Sequence, residues 1–228
     1  RWSVVLNFKH QNNRNNGPFP LVPDIVEAFR NPFILSQNAT TKMIDNTVNG
    51  SLSVNYAGTG FNFTSQTAYQ SNHRHYDLPI DGDFSDLDGI TIINNYGKDW
   101  NTVKVWTQEF RISSPASSKS ALSWTAGTYF FNQKNPVKQT TRFGSDAELL
   151  GSLVDNFSII NTSRGKSSGI ALFGQLTWSM GNKTDLTLGL RYDHEKKDQA
   201  VKSEYQEDPD PDPRFNLIPD TSAAAKFK

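Results

Sequence analysis

The segment SNHRHYDLPIDGDFSDLDG, Ser71 to Gly89, holds the most reactive-looking side chains of the chain. His73 and His75 are two residues apart, so on a strand both imidazoles leave the same face, where they could take iron or zinc. A pair lacks the third and fourth ligands that a metal site needs. Asp81, Asp83, Asp86 and Asp88, ahead of Gly89, offer hard oxygen ligands at a spacing loosely like that of a calcium loop, but the spacing is not that of an EF-hand. The expectation is a solvated loop with Asx turns, holding neither metal nor cofactor. No Gly-rich phosphate loop, no Ser/His/Asp order around a nucleophile elbow and no close carboxylate pair on a rigid frame occurs, so no catalytic residue is assigned and the chain is not expected to be an enzyme. Four further charges, Glu109, Arg111, Arg191 and Asp193, sit two apart in pairs and project by parity to the polar face of their strands.

The elements that position these residues must come from a chain with little oil. Only 36% of the 228 residues are hydrophobic and the mean hydropathy is −0.59, thin for a soluble core. The 23 basic and 23 acidic residues cancel, which gives no global field for nucleic acid. There is no cysteine, which removes disulfide frameworks and thiolate metal sites. No apolar run approaches the ~20 residues of a membrane-spanning helix, and no signal peptide is evident. A start at Arg1 and an end, TSAAAKFK, that reads as the beginning of an element suggest an internal segment.

The hydrophobic period is two almost throughout. Trp2, Val4, Leu6 and Phe8 alternate with polar neighbours, as do Leu52, Val54 and Tyr56; Phe61, Phe63 and Tyr69; Trp106, Phe110 and Ile112; and Leu122, Trp124, Ala126 and Phe130. Ile170, Leu172, Leu176 and Trp178 make one face of a hairpin whose second arm carries Leu186, Leu188, Leu190 and Tyr192 across the turn MGNK. An eighth strand begins near Ser222. The connections alternate strictly: long at about 11–48, short at 57–60, long at 77–101, short at 115–120, long at 135–167, short at 180–184 and long at 198–220. QEDPDPDPRF, Gln206 to Phe215, cannot pair as a strand and reads as the tip of a loop. In an up-and-down antiparallel sheet such alternation puts every tight turn at one end and every large loop at the other. A soluble sandwich has no reason to do this, whereas a transmembrane β-barrel has short periplasmic turns, long outer loops, an apolar exterior and a polar interior. Hydrocarbon permits only structures that pair every backbone N–H and C=O, and the sheet is the one available here. On this reading Trp2, Trp106, Trp124, Trp178, Leu186, Leu188, Leu190 and Tyr192 face lipid or form the interfacial girdles, and Glu109, Arg111, Arg191 and Asp193 face the lumen.

Three motifs carry a family resemblance. TQEFRISSP (Thr107 to Pro115), SWTAGTYFFNQ (Ser123 to Gln133) and the hairpin ALFGQLTWSM plus TDLTLGLRYDHEKK resemble, in order and spacing, successive barrel strands of TonB-dependent outer-membrane receptors. The close match covers roughly residues 105–197; residues 1–104 agree only in pattern. The resemblance implies an all-β, up-and-down antiparallel transmembrane segment, about eight strands of a larger barrel of about 22 strands around a plug domain. It also implies a Gram-negative outer membrane, active import of a scarce nutrient such as a ferric siderophore, and energy from the TonB complex, which engages an N-terminal region. The partners implied are that complex, the receptor's own plug, a small metal chelate and outer-membrane lipid, with no nucleic acid. All 228 residues are then expected to be barrel, without plug or C-terminal strands. Competing readings are a passive porin or barrel enzyme, and a soluble glycan-binding β-sandwich.

Overall fold

The computed structural model describes residues 1–16, 25–31, 37–39, 41–83, 85–115, 117–181, 183–207 and 221–227. The period-two segments form strands β1 (Trp2–Asn15), β2 (Met43–Ala57), β3 (Asn62–Tyr76), β4 (Ile80–Asp81), β5 (Ile90–Ile93), β6 (Thr102–Ser113), β7 (Leu122–Phe143), β8 (Phe157–Ser179), β9 (Asp185–Glu207) and β10 (Thr221–Phe227). A short helix, α1 (Ile25–Arg30), and one 3₁₀ turn (Ala147–Leu150), neither expected from the sequence, lie in the first and third long connections. The long strands follow one another in the order β1-β2-β3-β6-β7-β8-β9-β10, every pair antiparallel. Among the described residues β1 and β10 do not pair with each other, so the sheet is open in this chain.

Register turns the alternation into two faces, because directly opposed residues of an antiparallel pair project to the same side. One row of opposed positions runs Trp2, Tyr56, Phe63, Ile112, Ala126, Gly174, Leu190 across seven strands. Leu122, Trp178 and Leu186 make a second such row. The other face carries Gln66, Glu109, Tyr129, Ala171 and Asp193 in one row, and Thr64, Arg111, Gly127, Phe173 and Arg191 in the next. Among the described residues neither face is covered by a second layer: Leu188 and Leu190 are 73% and 82% exposed, and the buried apolar residues are Ile80, Ala147, Phe157 and Ala171. A soluble sandwich of this length would bury both inner faces against each other; among the described residues this sheet has no partner of its own.

The strands are longer than the sequence suggests. β7 continues to Phe143, β8 starts at Phe157 and β9 runs to Glu207, so most of the expected loop 135–167, and residues 198–207 of the expected loop 198–220, are strand. Gln206 and Glu207 thus pair with Ser158 and Phe157, and the rest of the Pro and Asp run lies outside the described residues. The first loop shrinks likewise, since β1 reaches Asn15 and β2 begins at Met43. These outer extensions have Ser, Thr, Asn and Lys on both faces, so no apolar stripe announces them, yet their ladders are complete. Pro136 sits inside β7 for a reason visible in its partner. Its C=O accepts the Asn101 N–H at 2.8 Å, so its nitrogen, on the same strand edge, faces the loop beyond β6 rather than the β8 ladder.

The tight turns close the other end. Gly181, at φ 76°, supplies the left-handed residue of the 180–184 turn, where the Met180 N–H donates to the Thr184 C=O at 2.8 Å. Trp178 stands beside that turn, and the Trp2 ring packs tilted against Tyr56, 4.8 Å between centroids, beside the turn at 58–61. Leu188→Arg puts a cation on the apolar face and is expected to destabilise the receptor in a bilayer by about 2–4 kcal/mol near mid-depth. Thr187→Arg, one residue away on the polar face, is expected to cost much less; equal losses in a bilayer unfolding titration would contradict the assigned facing.

Candidate functional site

Strand parity brings Glu109, Arg111, Arg191 and Asp193 together on the polar face. Glu109 and Arg111 lie two apart on β6 and form an ion pair. Arg191 and Asp193 do the same on β9, with Arg191 Nη2 2.8 Å from Asp193 Oδ1 and Arg191 Nε 2.9 Å from Asp193 Oδ2, a bidentate grip. Between the two pairs lie β7 and β8, which supply Tyr129 and Ala171 to one row and Gly127 and Phe173 to the other. The Phe173 ring lies across Gly127, and the Arg191 guanidinium sits 5.8 Å above the same ring. Phe131 covers Gly169 in the same way four residues along the strands, beyond the row of Tyr129 and Ala171. An aromatic ring over a cross-strand glycine covers backbone that would otherwise stand bare. A depression of about 440 Å³ opens between Arg111 and Arg191, floored by Thr125, Phe173, Gln175 and Gly189.

This arrangement binds rather than reacts. Every charge in it already has an opposite neighbour, and no nucleophile, base and orienting group come together. The sequence pointed to the four charges through parity, but it gave no role to Gly127, Gly169 or Phe173. The available signal was an aromatic on the polar side directly opposed to a glycine, which becomes visible only once the register is known.

The residues of the second long connection, 77–101, are placed elsewhere, at the long-loop end. Asp81 is 1% exposed; its Oδ1 accepts the Asp83 N–H at 3.0 Å and its Oδ2 the Asn38 N–H at 3.2 Å. Asp83 accepts the N–H groups of Ser85 at 3.0 Å and Ile90 at 2.5 Å. Asp88 Oδ1 accepts from Arg142 Nη1 at 3.2 Å, and the Asp88 N–H donates to Asp146 at 2.9 Å. Asp86 is exposed. Asp81, Asp83, Asp88 and Asp146 thus tie the first, second and third long connections together; the two-residue bonds of Asp81 and Asp83 are Asx turns, but Asp81 is buried rather than solvated as the sequence suggested. Among the described residues no group of three or more His, Cys, Asp or Glu is arranged to hold a metal.

His73 and His75 do share a face of β3, their rings 4.4 Å apart, but it is the face of Phe63 and Tyr69 rather than that of the charge pairs. His73 Nδ1 lies 2.6 Å from the Thr102 hydroxyl. Both rings lie past Tyr69, beyond the apolar stretch of β3, and burial pushes both imidazoles below their usual range. For His73 the neighbouring His75 and Lys98 act in the same direction; for His75, Asp77 opposes the shift and Arg14 adds to it.

A polar face of paired charges, a bare apolar face and loops gathered at one end are the geometry of a barrel wall. The family described as TonB dependent receptor-like, beta-barrel, matches residues 2–225. The chain belongs to this family. Its members are outer-membrane receptors rather than enzymes. Among solved structures the chain is similar to the ferric yersiniabactin uptake receptor FyuA from Yersinia pestis, at 15% identity and a TM-score of 0.56 over 83% of this chain. The chain spans a quarter (25%) of that structure's length, and the likeness is one of fold. No curated protein matches the sequence.

Two expectations follow from the receptor geometry. A Cβ on Gly127 would lie 2.4 Å from Phe173 Cζ and 2.7 Å from the Phe110 carbonyl, so Gly127→Ala should cost about 1–3 kcal/mol, while Gly165→Ala, with only the Asn135 carbonyl at 3.7 Å, should be near neutral in the same denaturation assay. Asp81→Ala orphans two backbone donors and should loosen the loops by about 1–3 kcal/mol, read as faster hydrogen exchange at 38–39 and 81–90, with Asp86→Ala unchanged as control.

Proposed function

We propose that the chain forms part of the barrel wall of an outer-membrane receptor that imports a ferric siderophore with energy delivered through TonB. The observation that carries the reading is the polar face: two ion pairs, Glu109–Arg111 and Arg191–Asp193, stand at matching rows of β6 and β9 with an aromatic and glycine floor between them. A passive water-filled pore gains nothing from charges that are already neutralised in pairs. A plug domain seated against the wall does, because a paired charge can be covered at a much smaller desolvation cost than a lone one. On this reading the wall is completed by further strands, the pairs meet the plug, and apolar residues such as Leu188 and Tyr192 meet lipid, with Trp2, Trp124 and Trp178 at the periplasmic interface and Trp106 at the outer one. The long connections, tied together through Asp81, Asp83, Asp88 and Asp146, form the ligand-capturing surface.

The test uses the complete gene. Its deletion should abolish uptake of radioactive iron from one defined ferric chelate under iron restriction, and the intact gene should restore it. Dissipating the proton gradient should stop that uptake. Unchanged uptake from every chelate, or import indifferent to the gradient, would refute the reading. Exchanging the β9 pair (Arg191→Asp with Asp193→Arg) keeps the wall neutral but reverses its polarity, and should impair uptake at normal outer-membrane levels if the plug reads that polarity.

A further inference from the structure

The apolar face carries a feature that sheet physics disfavours. Lys104 on β6 is directly opposed to Lys134 on β7, and Lys134 to Lys166 on β8. Opposed residues stand about 4.5–5.5 Å apart at Cβ, and like charges placed so are destabilising. All three lysines are exposed, and among the described residues none makes an ion pair. β7 and β8 contain no Asp or Glu from end to end. The carboxylate opposed to Lys166, Asp198, is 3.6 Å from Lys196 on its own strand.

The depth of this row is defined. Moving toward the long-loop end, it follows Trp106 on β6 directly and follows Phe130 on β7 and Ile170 on β8 after one polar residue of that face each, Asn132 and Ser168; beyond it only Ile160 on β8 is a large apolar residue of these three strands on that face. Lys138 and Arg164 continue the positive face outward, with Lys138 Nζ 4.4 Å from the Tyr96 ring and Arg164 4.8 Å from the Trp100 ring. On the other flank a groove of about 590 Å³ is lined by His10, Arg14, His73, Lys98, Thr102 and Lys104. The chain as a whole is neutral, so this is a local excess of positive charge, and the acids of β9 on this face, Asp198 and Glu204, lie beside lysines of their own strand, Lys196 and Lys202.

We propose that the Lys104–Lys134–Lys166 row is a binding site for the phosphate groups of a phosphorylated lipid in the outer leaflet, seated against the outside of the barrel wall. The inference rests on the membrane reading above, since that reading puts the row at headgroup depth. Three ammonium groups in a line beside a basic groove suit a headgroup with more than one phosphate, whose acyl chains then run down along Trp106, Phe130 and Ile170. The lipid's charge relieves the repulsion that the lysines impose on one another.

The experiment is native mass spectrometry of the complete receptor in detergent, titrated with a bisphosphorylated disaccharide lipid and with the same lipid after enzymatic dephosphorylation. The wild type should retain the phosphorylated form preferentially, and Lys104→Gln/Lys134→Gln/Lys166→Gln should lose about a hundredfold in affinity for it, at the ordinary worth of a basic residue near an anionic surface. Lys9→Gln, on the polar face of β1, should bind as the wild type does. Without lipid the triple variant should melt no lower than the wild type, because its substitutions remove repulsion; this separates lost binding from lost fold. Equal retention of both lipids, an unaltered triple variant, or complete competition by millimolar inorganic phosphate would overturn the proposal. Failure of the membrane reading shows differently: the receptor would then leave the cell envelope in buffer without detergent, before any lipid is added.

Discussion

Backbone hydrogen bonding in a solvent that cannot supply it is the constraint on which this architecture rests. In hydrocarbon each unpaired N–H or C=O costs several kcal/mol, so a strand is tolerated only with ladders on both sides. Continuous pairing fixes the register, the register fixes parity, and parity decides which side chains meet which surroundings. The two faces of the sheet follow from that chain of dependence, and so does the absence of a core in the ordinary sense. Ala171 is buried between Tyr129 and Asp193 within the sheet, whereas Leu190 is bare because its burial must come from outside the chain.

Within that frame the charged residues sort by the company they keep. Glu109, Arg111, Arg191 and Asp193 are neutralised along their own strands, which makes them suitable for being covered by another part of a receptor. Lys104, Lys134 and Lys166 are not neutralised, and their opposed placement asks for anions from elsewhere. The aspartates of the second long connection belong to neither set. Their oxygens replace missing backbone partners in a region where the chain leaves the ladder and must satisfy its N–H groups locally.

The part of the fold legible in the sequence was the part that meets lipid. Trp178, Leu186, Leu188 and Leu190 announce their strands because an apolar stripe of period two is the pattern of a strand with one apolar face. The stretch Asn135 to Phe143 gave no such signal: with polar residues on both sides and a proline inside, it reads as loop until Asn101 is seen bonding to Pro136 and Asn161 opposite Gln139. The pairing of β5 with β7, Ile90 to Phe143 and Ile93 to Thr140, is likewise invisible, since it joins residues that no local pattern relates. The charge pairs were legible as residues and as a face. What lies between them was not, because the contact of Phe173 with Gly127 depends on a register that only the complete ladder specifies.

The excess length of β8 has a consequence for reach. Its 23 residues, at about 3.3 Å each and tilted by about 40°, rise roughly 58 Å, against an apolar band about 25 Å tall. About 30 Å of paired wall therefore stands clear of the bilayer, stiff because it is laddered. The loop cluster is carried on a rigid pedestal, at a stand-off comparable to the diameter of a small protein. A solute approaching from outside meets its first contacts well above the membrane surface, in a place whose position is set by strand length rather than by loop length.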